Sequence, residues 1–128
     1  MSHVIHDTGV AKLIGRYSDA IEVAPNQRWL ISAGTPGLRI DGTLPEGITA
    51  QAEQAWQHLI AMLERAHMAV HDLIKVTSYL LRPEDIAPYV AVRSKYLGDA
   101  RPAAMLAVVP QLVRPEFLVE IEILAARA

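Results

Sequence analysis

The sequence of 128 residues predicts an α+β fold in which two α-helices pack on one face of a mixed β-sheet. Two short apolar runs, residues 105–109 and 117–124, flank a proline-bounded turn at residues 110–115 and are typical of strands. Residues 48–68 have the period of an amphipathic helix. The elements follow in the order β, β, α, β, α, β, β, for which helices on one face of a sheet are the natural packing.

The N-terminal part of the chain is predicted to form short strands. Residues 4–5 are an apolar pair that we interpret as an edge strand. Residues 17–23 alternate moderately between apolar and polar, and residues 29–33 follow the turn signal at residues 25–27. These two strands are expected to form a hairpin. The density of glycine and proline over residues 34–45 predicts a loop.

Two helices and a strand follow. The first helix, residues 48–68, is expected to have Thr49 as its N-cap. Residues 73–81 are rich in strand formers. Residues 83–85, Pro-Glu-Asp, open a second helix to about residue 97, because proline fits the first turn and carboxylates favour the positive end of the helix dipole. The strands around the first helix can be parallel, whereas the terminal pairs are predicted to be antiparallel hairpins.

The last strand has two different faces. Glu120 and Glu122 point to one side, and Val119, Ile121 and Ile123 point to the other. A carboxylate in an apolar strand is paired, hydrated or functional. The position of these two carboxylates therefore bears directly on function.

Composition and charge exclude several classes of protein. We expect one domain, residues 1–128, because the chain is too short for two ordinary domains. The absence of Cys excludes disulfides, thiolate nucleophiles and Cys-ligated metals. A formal net charge of −2 with scattered Lys and Arg argues against a nucleic-acid partner. No apolar stretch approaches the roughly 18 residues of a membrane span, and the first residues lack a signal-peptide pattern, so we expect a cytoplasmic protein without a membrane partner.

The content of hydrophobic residues, 52%, exceeds the usual value of about 45–50%. In a small domain such an excess indicates surface that is buried between subunits. The alternative is an unusually aliphatic core.

Sequence signals for cofactors or metals are weak. There is no P-loop, GxGxxG or GxSxG motif. His67 and His71 have the i, i+4 spacing of metal ligands, but the helix is predicted to end before His71. We interpret them, like His3 and His6, as ordinary imidazoles. No metal and no organic cofactor are expected.

Four segments together resemble the Rid family of small trimeric proteins (RidA/YjgF, also named L-PSP endoribonuclease). Residues 15–20, GRYSDA, are close to the family's GPYSQA, and residues 30–34, LISAG, resemble its FVSGQ strand. Residues 74–80, IKVTSYL, resemble VVKTTVYL, and residues 119–125, VEIEILA, resemble VEIEAIA. The similarity spans nearly the whole chain, and the four motifs occur in the same order.

The resemblance implies a chorismate-mutase-like α+β fold, a homotrimer, and small-molecule clefts between neighbouring subunits. It also implies the hydrolysis of 2-enamino or 2-imino acids to 2-oxo acids and ammonia without a metal or cofactor. In that chemistry an arginine pairs with the substrate carboxylate. A protein carboxylate holds or activates water at the iminium carbon.

Carried over by motif, the pocket tyrosine is Tyr17, the strand serine is Ser32 and the water-holding glutamate is Glu120. The family's arginine lies in a P-A-R-[ST] motif, whose third position here is Ala104. The family's helix asparagine corresponds to Val90. A methyl group cannot anchor a carboxylate.

Two arginines could replace the missing group. Arg101 precedes the strand of Ala104, and Arg114 lies in the turn before the last strand. Both could equally be exposed or paired at a subunit interface, and Tyr17 and Ser32 could be structural.

Two functions therefore stay open. One is an enzyme that hydrolyses an imine, enamine or related metabolite, with Glu120 managing water and Tyr17 shaping the pocket. The other is a non-catalytic trimer that binds a small ligand or a protein. A nuclease is disfavoured, because the sequence has no basic groove.

Overall fold

The computed structural model describes residues 3–128, which form seven strands and two α-helices. In chain order they are β1 (His3–Ile5), β2 (Ile21–Val23), β3 (Arg28–Ile31), β4 (Thr35–Pro36), α1 (Ile48–Arg65), β5 (Leu73–Leu80), α2 (Ile86–Leu97), β6 (Ala103–Val108) and β7 (Val119–Arg127). Single 3₁₀ turns at Ala11–Leu13, Val70–Asp72 and Pro83–Asp85 link some of them.

The main sheet has the strand order β3-β7-β5-β6, and β4 also pairs with β7. Strands β5 and β6 are parallel, whereas β7 is antiparallel to β3, β4 and β5. The predicted α+β fold, with a mixed sheet and both helices on one face, is confirmed. The core lies between the helices and the sheet, where Trp56, Leu59, Tyr89, Val76 and Ile121 are fully buried.

Both predicted hairpins are wrong. Strand β2 pairs with β1, and β3 pairs with β7 instead of β2. Asn26, at a left-handed φ of 62°, turns the chain from one sheet into the other. At the C-terminal end, β6 and β7 lie on opposite edges of β5. The reason is that α2 brings β6 back parallel to β5, which leaves the other edge of β5 for β7.

The predicted ends of several elements also shift. Gly47, with a φ of 88°, occupies the N-cap of α1, so the prediction of Thr49 as the cap is wrong. Helix α1 ends at Arg65 rather than residue 68, and His67 has a left-handed φ of 57° directly afterwards. Strand β2 begins at Ile21, which leaves Tyr17 in an irregular segment.

The predicted alternation in the last strand is confirmed. Val119, Ile121 and Ile123 are buried beneath the helices, whereas Glu120 and Glu122 are partly exposed on the opposite side. We call that side the open face. The strand register places on it Trp29 and Ile31 of β3, Thr77 and Tyr79 of β5, Met105 of β6, and the two glutamates of β7.

Candidate functional site

A cavity of about 450 Å³ lies between α2, the edge strand β6 and the segment of residues 14–17. We call it the main cavity. Helix α2 contributes Ile86, Val90, Arg93, Ser94 and Leu97 to its lining. Strand β6 contributes Ala104, Met105 and Leu106, and the preceding segment contributes Arg16 and Tyr17. Most of this lining is apolar.

Tyr17 is held at the mouth of the main cavity by its neighbours in sequence. Its ring packs against Gly15, where a Cβ atom would lie 3.4 Å from a ring carbon. The adjacent Ser18 is buried; its hydroxyl donates to the carbonyl of Arg101 and its backbone N–H donates to the carbonyl of Pro102 at 3.2 Å. These bonds tie the Tyr17 segment to the start of β6.

Asp19 organises the loop that leads to Tyr17. Its carboxylate accepts backbone N–H bonds from Thr8 at 2.8 Å, Gly9 at 3.0 Å and Ala11 at 2.8 Å. Partial burial raises the pKa of Asp19, but the bonds from Ala11, Gly9 and Thr8 outweigh it, so the pKa lies below its ordinary value of 3.8. The charged carboxylate therefore fastens the loop in place.

Two positions at which the resemblance implies polar side chains line the main cavity with apolar ones. Ala104, on β6, and Val90, on α2, both line it. Strand register places Ala104 opposite Val76, on the helix side of the sheet. Ala104 and Val90 thus form part of a shared apolar wall of the main cavity.

Neither arginine considered as a substitute lines the main cavity. Arg101 is exposed and lines a separate cavity of about 360 Å³, beside Tyr17, Lys12 and Asp19. Arg114 stacks over the ring of Phe117, with 5.4 Å between its guanidinium carbon and the ring centre.

Two other arginines, Arg16 and Arg93, do line the main cavity. Sequence reasoning missed them. Helical periodicity could have found Arg93, since it follows Val90 by three positions and shares its side of α2.

Ser32 has a clear structural part in the sheet. Its hydroxyl accepts the backbone N–H of Ile123 at 2.9 Å and donates to the carbonyl of Ala33 at 2.9 Å. It lines a small depression of about 150 Å³ with Lys75 and Glu122. The hydroxyl thus continues the pairing of β3 with β7 by one residue.

Glu120 lies on the open face, opposite Pro36 of β4 and Tyr79 of β5. Its carboxylate packs directly against Gly34. A Cβ atom added at Gly34 would lie only 2.2 Å from Oε2 of Glu120. Glycine at this position therefore makes room for the carboxylate. Within residues 3–128, no hydrogen bond or ion pair reaches that carboxylate.

The candidate residues fall into two groups within one chain. Tyr17 and Ala104 border the main cavity on the helix side of the edge strand β6. Glu120 lies on the other side of the sheet, two strands away from β6. Two strand spacings are about 10 Å, so one small ligand in the main cavity does not reach Glu120 of the same chain.

The described residues also bear on metals and membranes. Across residues 3–128, no three side chains among His, Cys, Asp and Glu come together as metal ligands would. Neither of the helices in that range combines the length and apolar character that a membrane crossing needs.

A mixed sheet with two helices on one face, and a cavity beside its edge strand, defines a small α+β protein. Residues 9–127 match the model of the family described as endoribonuclease L-PSP. The chain belongs to this family, also known as Rid or YjgF, and the resemblance drawn from four motifs is confirmed.

Individual relatives agree with this assignment. A RutC family protein of Pyrococcus horikoshii is 35% identical over 98% of both chains, and one of Pyrococcus abyssi is 33% identical over 95% of this chain and 94% of the relative. The crystal structure of a conserved Rid family protein, YyfB from Yersinia pestis, superposes with a TM-score of 0.86 at 25% identity, covering 99% and 100% of the two chains. The crystal structure of RidA from Psychrobacter superposes with a TM-score of 0.74 at 29% identity, covering 89% of this chain and 90% of RidA.

Proposed function

We propose that this chain forms a homotrimer whose intersubunit clefts take a small metabolite and hydrolyse an imine, enamine or related bond in it. One observation carries the proposal: Glu120 keeps a partly buried carboxylate that nothing in residues 3–128 pairs with, on a sheet face with exposed apolar side chains. A carboxylate left in that state suits a water-handling group. The assignment to the Rid family supports the same chemistry.

The cleft needs a second copy of the chain. The groups around Tyr17 and around Glu120 are separated by the sheet in one chain, so a neighbouring subunit is required to bring Glu120 to a main cavity. Assembly through the open face would also bury the exposed side chains of Trp29, Ile31 and Met105.

Hydrolysis in this cleft needs only water and a base. Glu120 orients a water molecule and accepts its proton while the oxygen adds to the carbon of the C=N bond. The π electrons of the C=N bond move to nitrogen, which takes the proton back from Glu120. The C–N bond of the resulting carbinolamine then breaks as its hydroxyl proton moves to the departing ammonia or amine, which leaves a carbonyl compound. Tyr17 shapes the pocket, and Ser32 holds the backbone of β7 at Ile123, three residues after Glu120.

The usual 2-imino acids are poor substrates in this proposal. The family binds their carboxylate through an arginine in the position of Ala104, where this chain offers a methyl group in an apolar wall. The substrate is therefore expected to differ from an ordinary 2-imino acid in where it carries the group that the enzyme holds.

The test uses 2-iminobutyrate, generated in place by a dehydratase, and follows release of the 2-oxo acid. We expect slow turnover by the natural chain, faster turnover by Ala104→Arg, and none by Glu120→Gln. Glu122→Gln is the matched control, because it makes the same change two residues away on the same face. Turnover by the natural chain as fast as that of an arginine-containing relative would show that Ala104 does not limit the reaction.

A second function, a non-catalytic trimer that binds a small ligand or a protein, is favoured by the apolar wall of Val90 and Ala104. A thermal-shift screen with metabolites separates the two functions. Ligand stabilisation without turnover would support the binding function. A turnover that Glu120→Gln abolishes would exclude it.

A further inference from the structure

We propose that Arg93 anchors the anionic group of a small amphiphilic ligand in the main cavity, while the wall of Val90 and Ala104 receives the ligand's hydrocarbon body. The inference rests on the proposed function, since it names the class of ligand for the same cleft. In this inference the group that binds the anion belongs to helix α2 and not to strand β6, which carries Ala104.

The charges around the main cavity carry this inference. Its lining contains two guanidinium groups, of Arg16 and Arg93, and no carboxylate among the described residues. Neither guanidinium forms an ion pair within residues 3–128, although five ion pairs occur elsewhere in that range. Two unpaired positive charges beside apolar walls produce a positive potential that favours an organic anion.

Arg93 is better placed than Arg16 to be the anchor. It is partly buried, and its guanidinium carbon lies 5.7 Å from the ring centre of Tyr89, a fully buried core residue. That contact fixes the side chain on a rigid helix, so less conformational freedom is lost when it binds a ligand. Arg16 is exposed on an irregular segment and adds charge at the mouth of the cavity.

The hydrocarbon part of the ligand follows from the positions around Arg93. Ile86 and Val90 share the side of α2 that bears Arg93, and Ala104 and Leu106 face them from β6. A ligand that places its charge at Arg93 therefore directs its remaining atoms onto apolar side chains. Planar bidentate pairing with guanidinium favours a carboxylate as the anionic group.

The experiment compares pentanoate with pentanamide, which have the same chain length but differ in charge, by calorimetry on the full chain in its native assembly. We expect pentanoate to bind at least about tenfold more tightly than pentanamide. Arg93→Gln should remove that preference and leave the affinity for pentanamide unchanged. Arg93→Lys should restore part of it, because the charge remains without the bidentate geometry.

The control is Arg65→Gln, the same change at an exposed arginine at the end of α1, outside the three cavities. It should leave both affinities unchanged. Equal binding of pentanoate and pentanamide by the natural chain, or no binding of either, would overturn the proposal. The proposal would also be overturned if Arg93→Gln kept the preference for pentanoate and dissociated the native assembly. Arg93 would then pair with a carboxylate of another copy of the chain.

The outcome is separate from that of the proposed hydrolysis. Binding of pentanoate through Arg93, together with no turnover of any imine, would retain this inference and reject the enzymatic function. Turnover that depends on Glu120 but not on Arg93 would retain the enzymatic function and reject this inference.

Discussion

Gly34 and Gly37 lie three positions apart, but an added methyl group would meet different atoms at each. At Gly37 a Cβ atom would lie 2.1 Å from the backbone carbonyl oxygen of Gln51, which cannot move without shifting helix α1. We expect Gly37→Ala to lower the free energy of unfolding by about 3 kcal/mol or more. Urea unfolding measures it, and a change of less than about 1 kcal/mol would contradict this contact.

At Gly34 the atoms nearest to the methyl group would belong to the side chain of Glu120, which can rotate away. We expect Gly34→Ala to cost less than about 1 kcal/mol in stability, but to displace that carboxylate. If Glu120 handles water, turnover should fall by up to about 10²-fold, because small displacements of a catalytic group are costly. Parallel unfolding and rate measurements check both effects, and unchanged turnover would argue against a catalytic role for Glu120.

At the scale of single residues, the sequence predicts the features that depend only on local backbone geometry. The opposite facing of Glu120 and Ile121 follows from strand alternation alone, and it was predicted. The bond between the Ser32 hydroxyl and the N–H of Ile123 joins positions 91 residues apart. Whether Arg101 or Arg93 lines the main cavity likewise depends on how distant segments pack, which the sequence alone does not show.

At the scale of secondary-structure elements, two segments border the main cavity, and each is held in place by one acidic side chain. Asp85 precedes α2, is 4% exposed, and accepts from Arg82 Nε at 2.9 Å and Nη2 at 3.1 Å. We expect Asp85→Asn to lower the free energy of unfolding by about 1–3 kcal/mol, because a partly buried, charge-assisted pair is weakened. Glu84→Gln is the matched control at an exposed neighbour and should change it by less than about 0.5 kcal/mol.

The loop before Tyr17 should respond to acid through Asp19. A carboxyl whose pKa is lowered by folding stabilises the native loop above its ordinary pKa of 3.8, and this contribution is lost as the pH falls through the lower native value. An NMR titration should therefore show the amide signals of Thr8, Gly9 and Ala11 changing together below pH 3.8.

Asp19→Asn provides the control for this titration. The asparagine does not titrate, and its NH₂ group must face at least one of the three donors. The common acid transition should disappear, and the three amides should exchange faster at neutral pH. Persistence of the transition in this variant would assign it to another group.

The existence of the helices and the main strands was predictable, because periodicity is a property of each segment. Their partners were not. The predicted hairpins assumed that neighbours in sequence pair, but β7 is inserted between β3 and β5, so its nine residues pair with strands from much earlier in the chain. Only the packing of α2 against the sheet decides which edge of β5 stays free for β7.

At the scale of the whole molecule, the open face is the surface on which a single chain leaves apolar side chains exposed. Its apolar side chains include Trp29, 51% exposed, Ile31, 71% exposed, and Met105, 55% exposed, beside the carboxylates of Glu120 and Glu122. Exposed apolar side chains grouped on one sheet face mark an interaction surface. The content of hydrophobic residues, 52%, is consistent with such a surface.

Sedimentation velocity tests whether this surface holds the proposed homotrimer together. We expect the natural chain to sediment with the mass of three chains. Ile31→Glu should shift it to single chains, because each interface would bury a new carboxylate without a partner. Ile40→Glu makes the same change at a residue that is 92% exposed in the loop between β4 and α1, and it should leave the trimer intact. If Ile31→Glu also remains trimeric, the open face is not the interface, and Glu120 must then reach a ligand by some route other than a neighbouring subunit docked on this face.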